Sequence, residues 1–244
     1  MSNAVMIIGL FVFSMVSGML GLGVAFASIP FLGLFLPDLI HQVMPLSLLL
    51  NGITALFATI GFSKSDYVDW SKAIPLAIVT TVSAPLGAFL VQFFEQTYVW
   101  FIYFSCVIYL AYRLFRPVRP RKDGRSFKLA LLLAIPISIL SGFLGVGPGF
   151  LLMPTLILLG FESKKAAGIN AFAVTPPSFS ALVPHFSTAH WSFELMLPLL
   201  AVGAIGSFIG ARITSLYVPG ARIRQLFGIV IVIVTMYKLY TLIR

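Results

Sequence analysis

Two stretches of this chain are too long for one membrane helix, and both are interrupted by glycine at the same place. Residues 4–36 and 127–160 are apolar runs. A straight helix of either would be about 50 Å long, against a hydrocarbon core of about 30 Å. Near their middles they read FSMVSGMLGLGVAFASIPFL and ISILSGFLGVGPGFLLMPTL. Ser17, Gly18, Leu20, Gly21, Gly23 and Pro30 match Ser141, Gly142, Leu144, Gly145, Gly147 and Pro154 at a constant offset of 124 residues. Pro75, Gly87 and Ala88 match Pro198, Gly210 and Ala211 at an offset of 123. Six matches in register, a proline among them, mark a duplicated unit. The first repeat covers 1–115, a basic linker covers 116–126, and the second repeat covers 127–244.

The other apolar runs, 41–62, 73–93, 97–115, 166–188, 193–217 and 222–243, each fit one helix. Hydrophobic residues make up 59% of the chain and charged residues 9%, against roughly 45–50% and roughly 25% in soluble domains. That excludes a soluble globular domain, a disordered chain and a disulfide scaffold. It leaves an all-α polytopic membrane protein, held in a lipid bilayer and compatible with a homo-oligomer. The formal charge of +9 comes mostly from residues at the ends of apolar runs. Such residues encode topology, so no nucleic acid is expected as a partner. Cys106 is the one cysteine. It cannot form an internal disulfide or a metal cluster, and it reads as a small buried hydrophobe. The first run has no basic residue before it and no clear small-residue cleavage site, so it is not expected to be a removed signal peptide.

Charge placement decides between a parallel and an inverted duplication. Arg113, Arg116, Arg119, Arg121, Lys122, Arg125 and Lys128 crowd the central loop, 113–128, which is placed in the cytoplasm. If each long run enters and returns on the same side, as a glycine-broken, re-entrant-like helix pair, three transmembrane helices remain per repeat and the repeats are inverted. Lys64, Lys72, Lys164, Lys165, Arg222 and Arg224 are then cytoplasmic. The outer loops carry Asp38, Glu95 and Glu194 with no Lys or Arg. Only Lys238 and Arg244 break the pattern. A single crossing per long run would put four basic residues outside. The expected fold is therefore two inverted repeats, a plan common among secondary transporters.

A helix broken inside a membrane leaves backbone groups that lipid cannot satisfy, so they must face protein or water. A second short helix is expected to begin at about Val24 and Pro148, with Pro148 at a first helical position. Amides around Gly23, Val24 and Ala25, and around Gly149, Phe150 and Leu151, then sit at helix N-termini, which favour anions. With Gly21, Gly145 and Gly147 these residues form the expected site, near the midplane. Ser17 and Ser141 precede glycine in both copies and add hydroxyl donors. Asn51, Asn170 and Thr175 are further candidates; Thr175 is the repeat equivalent of Asn51, with Ser178 one turn on. Pro176 and Pro177 should distort their helix and free backbone carbonyls. Arg212 has the depth of a cytoplasmic anchor, or of a residue at the inner mouth. His185 and His190, beside Trp191, read as interface residues. All seven acids fall in loops or at helix ends, which argues against a metal or alkali-cation pathway. No cofactor is implied, and there is no ATP-binding motif.

The paired SGxLGxGxGF-like segments, each followed by a proline, resemble the sulfite exporter TauE/SafE family, also called the toluene sulfonate uptake permeases. The run KKAAGINAFAVTPPSFSAL after the second motif extends the resemblance across nearly the whole chain. SGFLGVGPGFLLMP matches well. SGMLGLGVAFASIP departs from it, with Val24 and Ala25 where glycines are common, which leaves less room for close backbone approach. The resemblance implies transport of a small sulfur-containing anion, such as sulfite, thiosulfate or a sulfonate like sulfoacetate, across a bacterial inner membrane. Three rivals remain at this level. A passive anion channel needs the same helix N-termini. A membrane subunit without transport of its own fits the short loops. An intramembrane serine protease needs a glycine where Met15 and Ile139 stand, and His185 as partner to serine.

Overall fold

The computed structural model describes residues 2–95, 126–190 and 193–219 continuously, and residues 97–99, 101, 102, 105, 112, 222, 225 and 229 individually. Apart from those individual positions, the helices expected over 97–115 and 222–243 lie outside the described residues. So do the linker up to residue 125, Cys106, Trp191, Arg224, Lys238 and Arg244. The described residues form eight α-helices and no strand: α1 (Ser2–Leu20), α2 (Ala25–Leu32), α3 (Met44–Ser63), α4 (Trp70–Leu90), α5 (Ser126–Leu144), α6 (Gly149–Leu158), α7 (Ser163–Leu182) and α8 (Phe193–Leu216). A π-turn, Leu39–Val43, leads into α3, and 3-10 turns Val91–Phe93 and Val183–His185 close α4 and α7. Five segments are long and apolar enough to cross a membrane: Leu39–Ser63, Trp70–Phe93, Phe127–Leu144, Ser163–His185 and Phe193–Leu216.

Both long runs break where the glycines predict, and by one mechanism. The Gly21 amide donates to Gly18 O at 3.1 Å and the Leu22 amide to Ser17 O at 3.2 Å. In the second copy Gly145 donates to Gly142 O at 3.1 Å and Val146 to Ser141 O at 3.0 Å. This is the paired-bond C-terminal stop that a left-handed residue permits. Gly21 and Gly145 supply it, at φ +64° and +68°. Gly23 and Gly147 then turn the chain a second time, at φ +70° and +68°. The second helix of each pair begins at Ala25 and at Gly149, one residue later than expected, so Pro148 stands just before the helix.

Packing between the two halves of the chain is reciprocal. A Cβ on Gly18 would strike the Ser207 backbone, and one on Gly142 would strike the Ala84 backbone. Gly210 lies against Met15 and Met19, and Gly87 against Ile139 and Phe143. Each contact reappears at its repeat-equivalent position. Small residues set such distances because backbones in a membrane must approach closely to gain packing energy.

Contact order fixes helix direction. Thr54 O accepts from Ser207 Oγ and Gly61 lies beside Phe208 and Ala211, so α3 and α8 run the same way. Asn51 bonds Ser178, while Tyr67, just after α3, lies against Gly168; α3 and α7 run in opposite directions. Gly168 beside Tyr67, Ala173 O accepting from Thr80 and Ser180 donating to Thr81 O align α4 with α7. Lys64, Lys72, Lys164, Lys165 and Arg212 thereby gather at one end of the bundle. Asp38, His41, Glu95, His185, His190 and Glu194 gather at the other.

The prolines build the α4–α7 seam. Pro177 has no N–H to give Ala173 O, and Thr80 Oγ1, 2.8 Å from Leu76 O in its own helix, is also placed to donate to that carbonyl at 3.0 Å. Pro85 likewise leaves Thr81 O free, and Ser180 Oγ donates to it at 2.8 Å. The freed carbonyl expected from the proline pair is present. The helix nevertheless continues through Pro176 and Pro177, because the neighbouring helix replaces a missing donor.

Candidate functional site

The two breaks meet at Asn51, about halfway along the span Leu39–Ser63. A Cβ on Gly23 would touch Asn51 Oδ1, and a Cβ on Gly147 would touch Asn51 Nδ2. Phe26 and its repeat equivalent Phe150 stack at 6.2 Å between centroids, with ring planes 13° apart. The carbonyl of Leu22, in the first break, lies against Gly149 in the second. Residues 21–30 and 141–150 are all buried, so the meeting point is closed to solvent in this arrangement.

The two copies are not equivalent. At the start of α2 the Ala25 amide donates to Asn51 Oδ1 at 2.9 Å and the Val24 amide to Thr54 Oγ1 at 3.1 Å. The donors expected to be free are held by α3. Asn51 Nδ2 donates onward to Ser178 Oγ at 2.8 Å. In the second copy the equivalents of Asn51 and Thr54 are Thr175 and Ser178. Their hydroxyls turn back into α7, donating to Ala171 O at 2.9 Å and Val174 O at 2.6 Å. Among the described residues no side chain caps α6 at Gly149 or Phe150. The serines differ as well. Ser17 Oγ donates to Gly23 O across its own break. Ser141 Oγ is fully buried and has no partner.

Asn170 reaches both breaks from α7, donating to Gly21 O at 2.7 Å and to Gly149 O at 3.3 Å, while its Oδ1 is buried without a partner. The structure thus gathers Gly21, Gly23, Val24, Ala25, Asn51, Gly147, Gly149, Phe150 and Asn170 around one point. Gly145 lies against the Met44 side chain, and Thr175 points elsewhere. Sequence reasoning missed Thr54, although its three-residue spacing from Asn51, copied in Thr175 and Ser178, was available. It also missed Ser28 and Ser47, whose hydroxyls bond at 3.0 Å one turn from the break.

At the basic end Arg212 Nη1 donates to Ser65 Oγ at 2.9 Å, the position expected of an anchor. Lys72 pairs with Asp69 at 2.5 Å; bonds from Lys72 and from Ser71 hold the Asp69 carboxyl below its ordinary value. At the other end Asp38 caps the π-turn, accepting from the Ile40 and His41 amides at 3.1 and 2.9 Å, and its Oδ2 meets His41 Nδ1 at 2.9 Å. Burial pushes Asp38 upward, but the bonds from His41 and Ile40 outweigh it and the carboxyl lies below its ordinary value. His185 differs from the expected interface residue. It is fully buried, with no hydrogen bond to either ring nitrogen.

The model of the family described as Sulfite exporter TauE/SafE matches residues 5–238. The chain belongs to the sulfite exporter TauE/SafE family. It is similar to the "Probable membrane transporter protein YdhB" of Bacillus subtilis, 21% identical over 219 residues, 86% of this chain and 89% of that one. A "Probable membrane transporter protein" of Xylella fastidiosa is 23% identical over 214 residues, 82% of this chain and 80% of its own. A relative in Methanocaldococcus jannaschii, also named a probable membrane transporter protein, is 20% identical over 188 residues, 72% and 70% of the two chains. No solved structure matches significantly. As a TauE/SafE protein this chain is a membrane transporter, and the glycine breaks that bring its repeats together lie within the matched segment.

Proposed function

We propose that this TauE/SafE transporter is a secondary carrier for a small sulfur-containing oxyanion: sulfite, thiosulfate or a sulfonate such as sulfoacetate. The anion binds where the two breaks meet, held by backbone amides of α6 and by the hydroxyl of Ser141. The observation that carries this reading is the difference between the copies. Asn51 and Thr54 offer oxygen acceptors to the α2 amides, as the oxygens of an oxyanion would. Among the described residues the α6 amides have no such side-chain acceptor, and a fully buried hydroxyl, Ser141, lies unpaired on the same break. A helix N-terminus with a free donor beside it favours an anion without a buried lysine.

The opposed directions of α3 and α7, and of α4 and α8, together with the reciprocal glycine contacts, support an inverted repeat. Alternating access then comes from rocking of one repeat against the other, hinged at the positive-φ glycines. The gathering of lysine and arginine at one end supports a cytoplasmic basic end in a bacterial inner membrane. The complete burial of the meeting point favours a carrier over an open channel. Exchange of labelled sulfite between vesicles and medium tests this. Saturable counterflow in wild-type vesicles, absent with Gly147→Leu, is expected. Linear voltage-driven current instead would indicate a channel.

A further inference from the structure

The chain has three histidines, and all three come together at the end of the bundle away from the lysines. His41 and His190 lie ring to ring, 5.9 Å between centroids, and the His190 amide donates to His41 O at 2.8 Å. Asp38 Oδ2 meets His41 Nδ1 at 2.9 Å. The amide of Ala189, the residue before His190, donates to His185 O at 2.8 Å, yet the His185 ring is fully buried and among the described residues neither of its nitrogens has a partner. A buried polar group without a partner is costly, and native structures rarely leave one without a reason. The described charged groups and other histidines at this end are His41, His190, Asp38, Glu95 and Glu194. His41 and Asp38 come from the π-turn and its cap. His190 follows on the same loop as His185. The close of α4 contributes Gln92, which is neutral and occupied, donating to Pro184 O at 2.5 Å.

We propose that His185 is a proton-binding site of the transport cycle, loaded from the histidine end through His41 and His190. This rests on the anion reading above. His185 follows Ser178 by seven residues, about two turns and about 10 Å along α7 and the 3-10 turn that closes it. Ser178 is the residue that meets Asn51 at the breaks. In the closed arrangement a protonated ring would bury two N–H donors with no acceptor. The cation therefore belongs to a state in which this end has opened and water or the anion faces the ring. Imidazole exchanges protons near neutral pH, and intramembrane relays use it so. A proton on His185 offsets one negative charge of an oxyanion entering at the same end. Proton and anion then cross together, and the ring returns to its neutral, dry form when both have left.

Purified wild-type protein and His185→Gln, reconstituted in lipid vesicles, separate the steps. Labelled sulfite is followed first in counterflow at equal pH, then in uptake driven by a pH gradient. Wild type is expected to show both. His185→Gln is expected to keep counterflow within about threefold and to lose at least tenfold of the pH-driven accumulation. His41→Gln, at a more exposed position, should slow pH-driven uptake and leave counterflow unchanged. Full pH-driven accumulation by His185→Gln overturns the proposal and leaves the anion reading standing. Loss of counterflow along with it, in a protein that elutes as wild type does, also overturns it. Absence of counterflow in wild type with labelled sulfite, thiosulfate and sulfoacetate alike removes the anion reading and the proposal together.

Discussion

Asn51 and Ser178 join the two halves of the chain at the point where both long apolar runs break: Asn51 Nδ2 donates to Ser178 Oγ at 2.8 Å, while Asn51 Oδ1 accepts from the Ala25 amide at 2.9 Å. One amide side chain caps a half-helix of the first repeat and fastens it to a full helix of the second. Asn51→Ala leaves a buried N–H unpaired, which costs about 1–3 kcal/mol. The variant should melt lower in detergent. Asn51→Asp keeps an acceptor for Ala25 and places a negative charge beside the helix ends, where the anion is proposed to bind. It should fold better than Asn51→Ala and lose anion-dependent stabilisation. An Asn51→Asp protein that sulfite stabilises as it does wild type would contradict the placement of the site.

The glycines of the breaks carry two separate constraints. Gly147 sits at φ +68°, where a Cβ costs about 1–2 kcal/mol, and a Cβ there would also displace Asn51. Gly147→Ala should lower stability by at least that amount. Gly145→Leu and Gly147→Leu should reach the membrane fraction yet fail to exchange sulfite. Normal exchange by either leucine variant would sink the assignment.

The proline seam makes a quantitative prediction. Thr80→Val removes the donor to Ala173 O, a bond worth about 0.6–2 kcal/mol between membrane helices. Pro177→Ala restores the helix's own N–H to that carbonyl. Unfolding measured for both single variants and the double should be non-additive, with Pro177→Ala recovering most of the Thr80→Val loss. Strict additivity would mean that Thr80 does not serve this carbonyl.

Most of the fold was legible in the sequence because its signals are local. Gly21 and Gly145 can end a helix only where a left-handed residue is tolerated, and the 124-residue offset repeats the whole device. Apolar length gave the spans. What could not be read depends on distant partners. Nothing near Ala25 in sequence announces that Asn51, 26 residues away, accepts from it, or that Thr175 turns back into its own helix. Copies that match in sequence therefore differ in which amides are capped. His185 was misread for a similar reason. Its neighbours in sequence are those of an interface, but the turn Val183–His185 lies against the close of α4 and the ring is fully buried.

Asp38 gives a pH dependence. Its carboxyl titrates below the ordinary value of 3.8 in the folded protein. A group depressed in this way adds stability that is present above the unfolded value and lost as pH falls through the folded one. Melting temperature should therefore acquire a downward step below about pH 4. Asp38→Asn, which cannot ionise, should melt lower at neutral pH and lack that step. An unchanged acid profile in the variant would exclude Asp38 as its source.

The meeting of the breaks as an anion site is tested most directly by thermal melting of the purified protein with sulfite, thiosulfate, sulfoacetate, taurine, sulfate and chloride. A ligand that binds only the folded state at one hundred times its dissociation constant adds about 2.7 kcal/mol. One sulfur oxyanion should raise the melting temperature of wild type selectively, and the rise should shrink in Ser141→Ala. No shift with any anion, or the same shift with chloride, would contradict the site and leave the glycine breaks as packing contacts alone.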